Sequence, residues 1–198
     1  MAHVQSPTVS FVDALWPASG VGRIARAVLL AVLGSALLTL SAKLKVPFYP
    51  VPMTMQTFAV LLIGVAFGVR LGLATVALYL AEGAAGLPVF AGTPERGIGL
   101  AYMLGPTGGY LLGFALAVTL TGWIAERRRD AAGLALAVAA GNLVIYVPGL
   151  LWLAKFVGFE AALGLGLAPF VVGDLLKAAL AWALAMGGAA MVRRRLEV

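Results

Sequence analysis

Asp174 and Lys177 stand three residues apart inside an apolar stretch, Phe170-Val-Val-Gly-Asp-Leu-Leu-Lys-Ala178. On a helix that spacing puts both side chains on one face. An acid and an amine there offer one anionic acceptor and one cationic donor, a pair able to grip a small polar molecule. Gly173 beside them leaves room for a ligand or another helix to approach. The plainer alternative is an internal ion pair that fixes helix packing and binds nothing. Gln56, in Met53-Thr-Met-Gln-Thr57, adds an amide that can both donate and accept, toward a ligand or toward the loop backbone. Asn142 and Tyr146 are four apart in Gly141-Asn-Leu-Val-Ile-Tyr-Val-Pro148 and share a face. Their plain readings are an interhelical hydrogen bond and an interfacial anchor. Glu82 suits either a pocket or a cap beside a helix break, and Trp152 reads as an interface residue.

Other residue types narrow the chemistry. The single histidine, His3, sits in the N-terminal tail, and there is no cysteine, so neither a His-based triad nor a zinc or thiolate site is expected. No Gly-x-x-x-x-Gly-Lys-Ser/Thr loop occurs, so nucleotide hydrolysis, if needed, falls to another chain. No metal and no cofactor are expected. Ala27, Ala31 and Ser35 recur every four residues with Gly34 adjacent, a small-residue stripe against which a helix of this chain or of a partner can pack closely.

The elements that must carry these residues follow from composition. Apolar residues make up 62% of the 198, charged residues 11%, and the mean hydropathy is +1.02. Soluble domains are about 45–50% apolar and about 25% charged, so this surface faces lipid. The apolar blocks are long and rich in Ala, Leu, Gly and Val rather than alternating, which predicts helices and not a barrel. Spans are expected over about residues 24–42, 54–69, 71–83, 104–125, 131–154 (interrupted by Pro148) and 165–191, with the third breaking near Gly83. The three prolines of Val46-Pro-Phe-Tyr-Pro-Val-Pro-Met53 predict a rigid loop, and residues 89–103 a long Gly-rich one. Residues 1–20 read as an interfacial tail without the basic region of a cleavable signal, and residues 21–198 as one membrane domain.

Charge orients the bundle. With six spans, nine arginines (23, 26, 70, 127–129 and 193–195) fall on the side of the termini, against Lys43, Lys45, Arg96 and Lys155 on the other, with Lys177 inside. The positive-inside rule then makes this an all-α integral membrane protein of six transmembrane helices with both N and C termini cytoplasmic. Basic residues at span ends explain the net charge of +6 without nucleic acid as a partner. Five or seven spans would scatter the asymmetry.

The order of Val51-Pro-Met-Thr-Met-Gln-Thr57, Gly86-Leu-Pro-Val-Phe90, Gly105-Pro-Thr-Gly-Gly-Tyr110 and Gly173-Asp-Leu-Leu-Lys177 resembles the BioY family, the biotin-specific substrate-binding S components of energy-coupling factor (ECF) transporters. The resemblance covers nearly the whole chain. It implies a six-helix bundle in the bacterial cytoplasmic membrane with a pocket near the outer surface. It also implies biotin as ligand, and as partners a coupling membrane subunit and ABC-type ATPase subunits; a homo-oligomer stays open. By motif it carries over Asp174, Lys177 and Gln56 as ligand residues, and by span or loop Arg96, Asn142 and Tyr146. The stripe at Ala27 and Ala31 would face the coupling subunit. Glu82 has no counterpart.

Biotin suits these groups. Its ureido ring carries two N–H donors and a carbonyl, and its valerate ends in a carboxylate. Asp174 is expected to accept from the ureido N–H groups and Lys177 to neutralise the carboxylate, although an i, i+3 pair rises only about 4.5 Å along a helix. Phe48, Tyr49, Phe90 or Tyr146 would wall the ring system. The rivals are another vitamin such as thiamin or riboflavin, a small ion-coupled carrier or intramembrane enzyme using Asp174, and a scaffold without a ligand.

Overall fold

The computed structural model describes residues 9–47, 49–92 and 98–196. His3, Phe48 and Arg96 lie outside the described residues. The elements run α1 (Phe11–Leu15), α2 (Gly20–Lys43), β1 (Lys45–Val46), β2 (Met53–Thr54), α3 (Gln56–Ala84), α4 (Leu100–Leu104), α5 (Gly108–Arg127), α6 (Ala131–Val157), α7 (Phe159–Gly166) and α8 (Val171–Leu196). Five helices, α2, α3, α5, α6 and α8, are long and apolar enough to cross a membrane. Helices answer the demand that lipid makes of a backbone, since every N–H and C=O finds its partner within the element.

The second and third expected spans are joined in α3, and its bend explains how. At Gly68 the backbone leaves helical geometry, with φ 72° and ψ −173°. A side chain there would be strained, and a Cβ would stand 2.2 Å from Glu126 Oε1. Glu126 Oε1 instead accepts from the Val69 N–H at 2.9 Å and caps the second leg. Gln56 hydrogen-bonds Tyr79, 23 residues later, at 2.7 Å. A straight helix would hold them about 34 Å apart, so α3 is a hairpin whose legs are residues 56–67 and 69–84. The second leg ends at the expected break beside Gly83.

Three boundaries differ from expectation. The Pro-rich loop is flanked by a two-stranded antiparallel ribbon, Lys45 opposite Thr54 and Val46 opposite Met53. Helix α6 runs through Pro148 without interruption. Neighbouring helices commonly support a proline within a membrane helix, and α5 abuts α6 so closely here that a Cβ on Gly109 would lie 2.2 Å from the Pro148 carbonyl oxygen. The sixth span begins at Val171 rather than near residue 165, because residues 159–166 form the separate helix α7.

The bundle has two unlike ends. One carries the ribbon, the 85–92 segment, α4 and α7. At the other, α1 tucks beneath the helices: Ser10 caps it by accepting from the Asp13 N–H at 3.1 Å, and Phe11 is buried among Leu134, Ala185, Ala189 and Val192. Arg26, Arg129 and Arg195 each donate to a backbone carbonyl of this segment, those of Trp16, Val9 and Leu15. Residues 15 and 195 therefore meet at one end, the arginine end. Burial there holds the Arg129 guanidinium below its usual value.

Candidate functional site

Helix α8 begins at Val171 and turns Asp174 and Lys177 inward, at 3% and 8% exposure. Lys177 Nζ donates to Asp174 Oδ1 at 2.7 Å. The first leg of α3 contributes Thr57, whose hydroxyl donates to the same oxygen at 3.1 Å. Helix α6 contributes Tyr146, whose hydroxyl donates to Asp174 Oδ2. One carboxylate thus collects an ammonium and two hydroxyls from three helices, the company a buried charge requires. Among the described residues, Asp174 engages one of the three donors of Lys177.

These groups line a hollow at the ribbon end of about 50 Å³, smaller than small-molecule pockets of about 300–1,000 Å³. Its apolar wall is Tyr102, Tyr110, Leu111, Phe114, Ile145 and Phe170, and Val51, Pro52, Thr54 and Ala91 close it on the ribbon side. Tyr110 is anchored by donating to the Gly166 carbonyl at 2.8 Å and meets Tyr146 edge-on at 6.3 Å. Gly173 is where the ribbon leans on α8: a Cβ there would lie 3.0 Å from Met53 Sδ. Gln56 is buried at the pocket wall; its Nε2 donates to Tyr79 and its Oε1 accepts from Thr54 Oγ1 at 3.2 Å. The arrangement holds a compact polar cluster at one point of an otherwise aromatic chamber. It can bind a molecule with a small polar head and an apolar body.

Of the residues expected from sequence, Asp174, Lys177, Gln56 and Tyr146 come together here. Asn142, one turn along α6 from Tyr146, does not line the hollow. Arg96 lies outside the described residues. Of the walls expected, Tyr146 serves; Phe90 is buried behind Tyr102, stacked on it at 5.1 Å, and Tyr49 is exposed. Glu82 accepts from Ser35 and ties the hairpin to α2. Trp152 donates to the Gly105 carbonyl at 2.9 Å, with the Lys155 ammonium 4.7 Å from its ring centre.

The small-residue stripe of α2 turns inward. A Cβ on Gly34 would fall 2.5 Å from Thr75 Cγ2 of the hairpin. Ala31 and Ser35 are buried and Ala27 is half-buried. Of the two residues expected at a partner face, Ala31 is buried within the chain and Ala27 half-buried, while small side chains let the second leg of α3 come close at Gly34. Thr57, Tyr110 and Phe170 were not singled out from sequence, although all three lie in motifs that were. Their signal was position within those motifs, not residue type.

The sequence matches the model of the BioY family over residues 9–194. It is 43% identical over 157 residues to a probable biotin transporter BioY of Pyrococcus horikoshii, covering 79% of this chain and 92% of that one. Against the biotin transporter BioY of Thermotoga maritima the identity is 37% over 153 residues, 77% and 89% of the two chains. In fold it is similar to a crystal structure of the S-component for biotin from an ECF-type ABC transporter, with a TM-score of 0.67 at 21% identity over 91% of this chain and 96% of that one. Helices, pocket motifs and relatives agree, and the chain is a member of the BioY family.

Proposed function

We propose that this protein captures biotin at the outer face of the cytoplasmic membrane, as the non-enzymatic substrate-binding subunit of an ECF-type uptake system whose ATP hydrolysis resides in other subunits. The observation that carries the reading is the Asp174–Lys177 pair, buried yet lining a hollow and joined there by Thr57 and Tyr146. A pair that merely fixed helix packing would have no reason to line an aromatic chamber. Named relatives that are biotin transporters supply the ligand.

The hairpin form of α3 supports six crossing segments, counting its two legs with α2, α5, α6 and α8. The clustering of Arg70, Arg127 and Arg193 at the arginine end supports a cytoplasmic location for that end and for both termini.

Because Lys177 and Asp174 touch, they serve one end of the ligand together rather than two ends apart. We assign the ureido group to them: its carbonyl accepts from Lys177, and an N–H donates to Asp174. The valerate carboxylate then points toward the mouth, with Arg96 carried as its partner by family resemblance alone. Thermal unfolding of the purified protein in detergent tests the ligand. Biotin should raise the midpoint by several degrees, while thiamin and riboflavin leave it unmoved. A shift with either of those and none with biotin would move the assignment to another vitamin.

A further inference from the structure

Tyr79 sits on the second leg of α3, fully buried, with no atom lining the pocket. Its hydroxyl donates to the Val89 carbonyl at 3.3 Å and accepts from Gln56 Nε2 at 2.7 Å. The polarity of this chain of bonds is set from its Val89 end. A backbone carbonyl can only accept, so the tyrosine proton is committed to Val89. The tyrosine oxygen must therefore receive its second bond, and only the –NH₂ end of the Gln56 amide can supply it. The amide is held with its nitrogen away from the cavity and its carbonyl oxygen on the other side. That oxygen accepts one bond from Thr54 Oγ1 at 3.2 Å. Thr54 Oγ1 is itself held by accepting from the Gln56 backbone N–H at 3.2 Å. A carbonyl oxygen has two lone pairs, so one acceptor position remains at the wall that Gln56 and Thr54 form.

We infer that Tyr79 is a specificity-determining positioning residue. By fixing the amide polarity of Gln56 it makes that wall an acceptor, and so selects a ligand that brings an N–H donor there and disfavours one that brings a lone pair or a methyl group. On the biotin reading of the pocket, on which this rests, the donor is the ureido N–H that Asp174 leaves over. Two acceptors of different kinds, a carboxylate and a fixed amide, then meet the two N–H groups of one urea. The relay is sealed from water by Phe90, edge-on to Tyr79 at 5.4 Å, so the tyrosine has no solvent partner with which to reverse its bonds.

The test is a cycle between the residue and the ligand atom. Equilibrium binding of biotin and of its two singly N-methylated ureido derivatives is measured for the purified full chain and for Tyr79→Phe. The wild type is expected to prefer biotin over both derivatives. In Tyr79→Phe the amide is free to flip. Affinity for biotin should fall about five- to tenfold, the worth of one buried hydrogen bond, and the preference over one derivative should shrink by about threefold or more. A role in packing alone would weaken all three ligands equally and leave the ratios unchanged, and that result overturns the inference. If Tyr79→Phe gives no folded protein, Gln56→Met applies the same test: lost discrimination supports the inference, and retained discrimination overturns it. A wild type that binds no biotin defeats the functional reading itself. A wild type that binds biotin and both derivatives alike defeats only the relay.

Discussion

At the arginine end, Arg26 is 6% exposed, pairs with Asp13 and donates to the Trp16 carbonyl. At the ribbon end, Lys177 is 8% exposed and pairs with Asp174 at 2.7 Å. The cations are equally buried, yet their surroundings part company. Asp13 remains half-exposed and accepts from Ser10 Oγ at 2.8 Å as well as from Arg26, while three arginines stitch α1 to the bundle through main-chain carbonyls. The hollow there is lined by Asp13, Arg26, Arg70, Glu126 and Arg127, five charged residues of twelve. The ribbon-end hollow has two of sixteen, and its carboxylate is held by side chains from three helices. A buried ion pair therefore says little by itself. What it faces decides whether it ties the fold together or waits for a ligand.

The largest expected effect comes from unbalancing the ribbon-end pair. Lys177→Met strands the Asp174 carboxylate and should cost about 3–5 kcal/mol of stability in detergent unfolding, along with biotin binding. Asp174→Leu combined with Lys177→Met should recover most of that stability and none of the binding. A double variant that still bound biotin would place the pair with its counterpart at the other end.

Next in size is Gly68→Ala, which forces a side chain into the bend of α3 against Glu126. Strain of this kind costs about 1–3 kcal/mol, so the unfolding midpoint should fall clearly. Arg26→Met should cost about 1–3 kcal/mol by freeing α1 from its anchor, and leave biotin affinity within about twofold, since distant sites act independently. A large loss of affinity would show the two ends to be coupled.

The smallest effect is at Asp130, the cap of α6, which accepts from the Gly133 N–H at 3.2 Å. The Arg128 guanidinium, and then that N–H, hold its carboxyl below the usual value. Its contribution is therefore complete above the unfolded value of about 3.9 and fades as pH falls through the lower folded one. Hydrogen exchange at the start of α6 should quicken below that window in the wild type. In Asp130→Asn, which caps without titrating, it should not.

Much of this was legible in the sequence because membrane helices advertise themselves. Long apolar blocks, Arg70 with the arginine runs at 127–129 and 193–195, and an acid and an amine inside the last block pointed to the helical class and to the core of the candidate site. Tyr146 and Gln56 were legible through spacing and motif. Other features depend on three-dimensional company. Pro148 looked like a break because sequence does not show α5 leaning on α6 at Gly109. The α2 stripe stayed open to a helix of this chain or of a partner because sequence does not show which neighbour takes it, and Gly34, Ser35, Thr75 and Glu82 meet only after α3 folds back. Tyr79 reads as one more apolar residue in a span, and its role exists only through Val89 and Gln56.

Isothermal titration of biotin into the purified wild type and into Asp174→Asn, a change of one heavy atom that keeps the shape of the site, tests the buried carboxylate as the ligand's acceptor. Saturable binding at one biotin per chain is expected in the wild type, and an affinity weaker by about a hundredfold or more in the variant, as befits losing a charged hydrogen-bond acceptor in a buried site. Equal affinity in both proteins would contradict that role.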